Sequence, residues 1–327
     1  MSILQNIFSI KNKDCEKIIT ILGIKIRFKN NIASLKKEIA DLKFVIYNGI
    51  NKDKINYLIE RFQDTGISTE ERTPKIIVSL TSFPQRMYEI HYCLYSLLTQ
   101  SLKPDKVILW LAEEEFPKME QELPQKVLDL KKHGLDIRWC RNIKSYKKLV
   151  PALKDFSDAI LVTADDDVFY PSDWLEKLYY SYLKNPYDIH CHRAHRIAFD
   201  KKGNILPYQK WDFCVDNSES SYKNFFTGVG GVLYPPSSFH KDVTKEEMFE
   251  ALAPDADDIW FWAMLVLNNK KIRIVDNPIN EITYINPLRE IKPDSETALV
   301  HTNLTGGNDI QLKAVLSKYP EILEKLR

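Results

Sequence analysis

Glycine is scarce in this chain, with ten residues in 327. That excludes collagen-like and low-complexity architectures, and it makes each glycine cluster worth attention. Cysteine is scarcer still: Cys15, Cys93, Cys140, Cys191 and Cys214 are scattered, odd in number and never spaced as CxxC. This pattern excludes a zinc cluster and a disulfide framework, and it leads us to expect reduced thiols in a cytoplasmic setting. No apolar run approaches the length that spans a bilayer, and the N-terminus lacks the charged–apolar–small order of a secretory signal. Charge of one sign is missing too. The formal net charge is +1, which gives no electrostatic footprint for nucleic acid.

What is present is an aromatic-rich chain long enough for one large α/β domain and an appendage. Residues 1–72 read differently from the rest. Lys17 to Lys29 alternates apolar residues with cations around Gly23, the pattern of a small hairpin. Ile32, Leu35, Ile39, Leu42 and Ile46 then recur at three and four residues, predicting an amphipathic helix. Its seam is a candidate homodimer contact. With thirteen Lys/Arg against nine Asp/Glu, this appendage is also a candidate for peripheral contact with an inner-membrane surface.

Glu70 to Pro74 reads as a linker, so the expected boundary falls between residues 72 and 73. From Lys75 strand and helix patterns alternate, which predicts a mainly parallel sheet. The predicted strands are Lys75–Leu80, Lys106–Leu111, Asp136–Trp139 and Ile160–Val162, with helices between them. After Asn185 the alternation breaks, dividing the domain into residues 73–185 and 186–327. Phe225–Pro236 is a glycine-rich turn entering a strand, and Asp258–Leu267 is a strongly apolar helix.

The chemistry concentrates in LVTADDDVFYP, Leu161 to Pro171. A short apolar strand delivers Asp165, Asp166 and Asp167 onto one loop. Three adjacent carboxylates in a compact site need a compensating cation, since each raises the cost of ionising its neighbours. Hard oxygen ligands suit Mg²⁺ or Mn²⁺, which take one or two carboxylates and complete their shell with phosphate oxygens. Acids at a strand's carboxyl end also sit where open α/β sheets bind ligands.

The segments SLLTQSLKPDKVILWL, SYKKLVPAL, VTADDDVFYP, FTGVGGVLYPP and DADDIWFWAM follow one another in order. Together they resemble bacterial glycosyltransferases of the GT-A fold that build lipopolysaccharide, lipooligosaccharide or capsule chains, over about Lys75 to Asn308. The resemblance implies a Rossmann-like nucleotide-diphospho-sugar transferase fold. It implies a nucleotide-diphosphate sugar as donor and an oligosaccharide or lipid-linked glycan as acceptor. By it, Asp165 and Asp167 match the DxD motif, with Asp167 the direct metal ligand, Asp165 nearer the ribose or an inner-shell water, and Asp166 the spare acid beside the donor. Asp258, ahead of Asp257, falls where inverting members place the catalytic base. Thr81, Ser82 and Arg86 fall where the nucleotide is held, Lys147 or Lys148 faces the diphosphate, and His301 is a further metal ligand.

Other roles compete for these residues. One acid of Asp255, Asp257 and Asp258 is expected to cap the helix it precedes. Gly228, Gly230 and Gly231 allow close backbone approach or a bulge. His190 and His192 share one strand face and His195 the other, which splits that cluster as a metal site and leaves the expectation of partly buried histidines and arginines near the acceptor or phosphates. Trp211, Trp260 and Trp262 are candidate sugar-stacking faces, although helical spacing keeps Trp260 and Trp262 from sharing a face. Two further functions fit an acidic loop behind a strand: a sugar-nucleotide nucleotidyltransferase and a Ca²⁺-dependent sugar-binding module. TSFPQRM has no glycine-rich phosphate loop, which weighs against the first. A second acidic cluster, which a binding module does not need, weighs against the second.

Overall fold

A computed structural model describes residues 8–13, 16–21, 24–29, 32–279, 281–291 and 306–327. The chain divides into two compact units, Met1–Gly49 and Ile50–Arg327. In the first, β1 (Phe8–Lys13), β2 (Glu16–Ile21) and β3 (Ile24–Lys29) form an antiparallel sheet in that order. The expected hairpin is β2–β3, and β1 adds a third strand whose Phe8 pairs with Ile21. Helix α1 (Ile32–Asn48) follows, with Ile39, Leu42 and Ile46 of its seam 47%, 61% and 71% exposed.

The boundary lies at Gly49, not at the expected 72/73. Helix α2 (Lys52–Glu60) starts on Asn51, whose side chain accepts from the Lys54 amide at 3.0 Å, and buries Ile55 in the core of the second unit. Phe62 packs edge-on against Tyr95 and tilts over His133. The segment after it is stitched down by Gly66 N–H to His133 O at 2.7 Å, Ser68 N–H to Pro104 O at 2.7 Å, and Arg72 to Asp105 at 3.0 Å. A polar stretch that reads as a linker is therefore an edge strap. We expect a chain beginning at Ile50 to melt with the intact unit. One beginning at Thr73 should lose the Ile55 and Phe62 anchors and melt lower by roughly 5–10 °C. Circular dichroism melts of both truncations check this, and equal melting temperatures would contradict it. Light scattering on full-length protein and the Ile50 truncation tests the homodimer contact.

The second unit is built on a seven-stranded sheet. Its strands in chain order are β4 (Ile76–Thr81), β5 (Lys106–Ala112), β6 (Leu135–Cys140), β7 (Ile160–Thr163), β8 (Ile189–Cys191), β11 (Val232–Tyr234) and β12 (Ile272–Ile274). Between them, β9 (Ala194–Arg196) and β10 (Asn224–Phe226) form a separate antiparallel pair. Across the sheet the order is β12-β8-β11-β7-β4-β5-β6, parallel throughout except for β11. This is the mainly parallel α/β sheet that the GT-A resemblance implied.

Strand alternation splits the core into two layers. Ile77, Ile108 and Leu161 face one layer, closed by α5 (Val150–Asp155), α7 (Glu246–Leu252) and α8 (Asp257–Leu267). Ile76, Val78, Leu80 and Val162 face the other, closed by α3 (Ile90–Leu98), the short α4 (Gln125–Leu128) and α6 (Trp174–Lys184). Burial on both faces explains why the strands read as near-continuous apolar runs. Among the described residues no helix is long and apolar enough to cross a membrane.

Two details position the site. Strand order reverses between β4 and β7, so a crevice opens beyond their carboxyl ends. Into it the chain returns through Gly228–Gly230 and then Gly231, at φ +87°. A Cβ at Gly231 would lie 2.4 Å from the Trp174 ring, so only glycine lets β11 enter antiparallel against β7.

Candidate functional site

A cavity of about 670 Å³ lies at this crevice. It brings together the described residues to which the resemblance gives a role: Thr81 at the end of β4, Ser82 and Arg86 after it, Lys147, Asp165–Asp167 after β7, and Asp257–Asp258 at the start of α8. His301 lies outside the described residues.

On one side, Asp166 is the hub. Ser82 Oγ donates to Asp166 Oδ2, and Arg86 reaches Asp166 Oδ1 at 2.5 Å and Asp167 Oδ2 at 2.7 Å. Asp166 thus anchors the loop; it is not a spare. Burial lowers the affinity of the Arg86 guanidinium for its proton, but Asp166 and Asp167 outweigh it and hold the group charged. Burial raises the Asp167 carboxyl, Arg86 opposes this, and Asp166 and Asp165 push it further up. Thr81 Oγ1 donates to Trp110 O at 2.8 Å, pinning the end of β4 to β5.

At the centre the structure selects Lys148. Its Nζ lies 2.8 Å from Asp165 Oδ1 and 3.1 Å from Asp257 Oδ2, bridging the two acidic clusters. Neighbours on a 3₁₀ turn point differently, so Lys147 is turned to Glu115 at 2.7 Å and to Ser82 O. Burial acts against the Lys148 charge, yet Asp165, Asp257 and Asp258 raise its pKa well above the ordinary value.

On the far side, Asp258 Oδ2 accepts the Gly228 amide at 3.0 Å. A Cβ at Gly228 would sit 3.0 Å from Asp258 Oδ1 and 3.1 Å from Lys148 Nζ, so this glycine makes room for both. Burial first, then the Asp257 charge, pushes the Asp258 carboxyl up to about 7, with Lys148 opposing. A carboxylate poised near neutrality can accept a proton from a substrate hydroxyl. The adjacent Asp257 is pinned by the lysine. Helix α8 shows no side-chain cap on its first turn, so the expected capping role goes unfilled.

Two sequence expectations change. Trp211, Trp260 and Trp262 are all buried, their indole N–H groups donating to Leu206, Val243 and Tyr222 carbonyls. Trp260 and Trp262 are core because α8 is apolar all round and packed on every side, and Trp211 is core because it packs edge-on against Tyr208 and Phe225. His190 lies between the Ser181 hydroxyl and Asn185 O, and His192 between Trp174 O and the Ile279 amide. Burial brings both down to about 4, so they are neutral structural histidines. Only His195 of the three reaches the cavity. Tyr208 and Phe213 line it too; the sequence reading passed over them because neither belongs to a motif or a periodic pattern.

The donor set suits a hard divalent cation. Asp165 and Asp167 supply carboxylate oxygens, and Asp167 is raised first by burial and then by Asp166 and Asp165, a cost that a bound cation would offset. Among the described residues no three His, Cys, Asp or Glu side chains form a ready cage. Phosphate oxygens would have to complete the shell.

A scan against protein-family models finds no match, and a search of curated proteins finds none. Among solved structures, the chain is similar to S. aureus TarS residues 1–349, at 15% identity and a TM-score of 0.42, covering 74% of this chain and 72% of that one. The UDP-GlcNAc complex of the same TarS segment matches at 13% identity and TM-score 0.39, over 64% of this chain and 57% of that one. The inositol-1-phosphate CTP transferase from T. maritima matches at 11% identity and TM-score 0.39, over 73% and 98%.

Proposed function

We propose that this chain is a metal-dependent, inverting glycosyltransferase that moves a sugar from a nucleotide-diphosphate donor to a cell-surface glycan acceptor. The observation that carries this reading is the pair of acidic centres in one cavity, joined by Lys148 and different in character. Asp165 and Asp167 supply oxygens suited to Mn²⁺ or Mg²⁺ on the donor side. When bound, such a cation supplies Lewis-acid stabilisation of charge on the leaving diphosphate. Asp258 takes the proton of the acceptor hydroxyl as that oxygen attacks the sugar carbon. Gly228 N–H holds the receiving carboxylate in place, and Lys148 keeps Asp257 out of that role. Ser82, with Arg86, braces the aspartate loop through Asp166.

The test is a screen of nucleotide sugars for Mn²⁺-dependent stabilisation and turnover, with the product identified. Release of a nucleoside diphosphate supports glycosyl transfer, whereas turnover that requires added pyrophosphate and yields a nucleoside triphosphate and a sugar 1-phosphate assigns nucleotidyl transfer instead. Ligand binding without turnover favours the binding module. Asp167→Asn should weaken Mn²⁺-supported nucleotide binding about 10- to 100-fold, measured by calorimetry. Unchanged binding would remove Asp167 from the metal site.

A further inference from the structure

Among the described residues, five cationic side chains line the cavity, and four have a carboxylate partner. Arg86 has Asp166 and Asp167, Lys144 has Asp255, Lys147 has Glu115, and Lys148 has Asp165 and Asp257. Arg193 has none among the described residues. Its Nε donates to Cys214 Sγ and one Nη1 hydrogen to Thr227 Oγ1, both at 3.2 Å. The second Nη1 hydrogen and both on Nη2 have no partner among the described residues, and together they form a fork suited to a carboxylate or phosphate.

Its location ties this guanidinium to the base, not to the aspartate loop. The Thr227 amide donates to Arg193 O at 3.1 Å, and the next amide, Gly228, donates to Asp258. A Cβ at Gly230 would lie 2.8 Å from the Arg193 Cβ, so this glycine lets the arginine stand beside the turn. Tyr208 feels both groups: burial pushes its hydroxyl up to about 12, with Asp258 adding and Arg193 opposing. Next to them Phe213 is 41% exposed, its ring 4.3 Å from that of His195 and edge-on to Tyr208 at 5.4 Å. A half-exposed ring braced by two others is a platform for a sugar face. The Cys214 amide donates to His195 Nδ1 at 3.0 Å, so the neutral ring carries its proton on Nε2.

A substrate closing over this end strips water from Arg193, and an unpaired desolvated guanidinium is costly. We infer that the acceptor is an anionic glycan, seating a phosphate or carboxylate group on Arg193 while its sugar ring lies on Phe213, close to the hydroxyl that Asp258 deprotonates. This rests on the acceptor-side reading of Asp258 given above. Arg193 sets specificity and leaves the chemistry to other groups.

Methyl β-glucuronide, glucose 6-phosphate and methyl β-glucoside, titrated separately into the full-length protein, test it. At least one charged sugar should bind about tenfold tighter than the neutral glucoside. Arg193→Gln should erase that preference, and Arg193→Lys should keep part of it. Tighter binding of glucose 6-phosphate assigns a phosphate, and tighter binding of the glucuronide assigns a carboxylate. Equal affinities for charged and neutral sugars, no binding of any of the three at millimolar concentration, or a charge preference that survives in Arg193→Gln would each overturn the inference. The wild-type comparison needs no variant, so it stands even if Arg193→Gln fails to fold. Stabilisation by nucleoside diphosphates is read in separate samples. Its absence in the wild type would defeat the donor reading alone, while the sugar comparison still reports on Arg193.

Discussion

Asp258→Asn should lower transfer by about 10²- to 10⁴-fold while nucleotide binding holds, because it removes the proton acceptor and little else. Asparagine keeps an oxygen for the Gly228 amide, so the local geometry survives. The same variant should be more stable than the wild type in metal-free buffer. Folding raises the Asp258 carboxyl from an ordinary 3.8 to about 7. Between those values the native state holds a proton that the unfolded chain has released, so native stability falls as pH rises through that window. Removing the titrating group should therefore raise the melting temperature most above pH 7, with the gain fading as the pH falls toward about 4. Melts at pH 5 and pH 8 beside single-turnover assays measure both effects. If Asp257→Asn abolishes turnover and Asp258→Asn does not, the base is Asp257.

Lys148→Met should destabilise the protein by about 3–5 kcal/mol at neutral pH, since it removes the buried cation shared by the buried Asp257 and the half-buried Asp165. The lysine's pKa is raised on folding, so its contribution is fully present below the ordinary value of 10.5 and is lost only above that. In the variant Asp165, Asp257 and Asp258 repel one another without compensation. Protonation relieves them, so the gap to wild type should narrow as the pH falls into the carboxyl range. Urea unfolding at two pH values reads this. Adding Asp257→Asn to Lys148→Met should recover part of the loss, because it deletes one of the stranded charges. A Lys148→Met variant as stable as wild type at pH 7.5 would mean that the bridge contributes nothing.

The strands at Lys75, Lys106 and Ile160 were legible because fully buried parallel strands are short apolar runs bounded by turn residues, and the half-buried edge strand at Asp136 because apolar and polar residues alternate along it. The limit at Gly49 was not. Ile55 and Phe62 join the second unit through contacts with residues distant in sequence, and no local pattern encodes those. The sheet's antiparallel member was hidden for a similar reason. The three glycines signalled a special backbone, but only the Trp174 ring over Gly231 shows what the backbone had to pass.

The choice between adjacent residues was also beyond the sequence. Lys147 and Lys148 have the same chemistry, and one step along a 3₁₀ turn sends one ammonium to Glu115 and the other to Asp165 and Asp257. Trp260 and Trp262 look like binding aromatics until the helix carrying them is seen to be packed all round. Arg193 stands within a histidine-rich stretch that suggests metal. What marks it is the absence of a carboxylate partner among the described residues, which can be seen only when the other cavity cations are paired off.

By itself the sequence determined an α/β sheet and an acidic triplet at the end of an apolar strand, because periodicity and local charge are written residue by residue. Tertiary structure alone decided that Asp165 and Asp257 share one lysine, that Asp258 is the acid pushed up to about 7, and that Arg193 faces the same cavity. Burial and charge separation act through space between segments far apart along the chain, and folding is what brings them within reach.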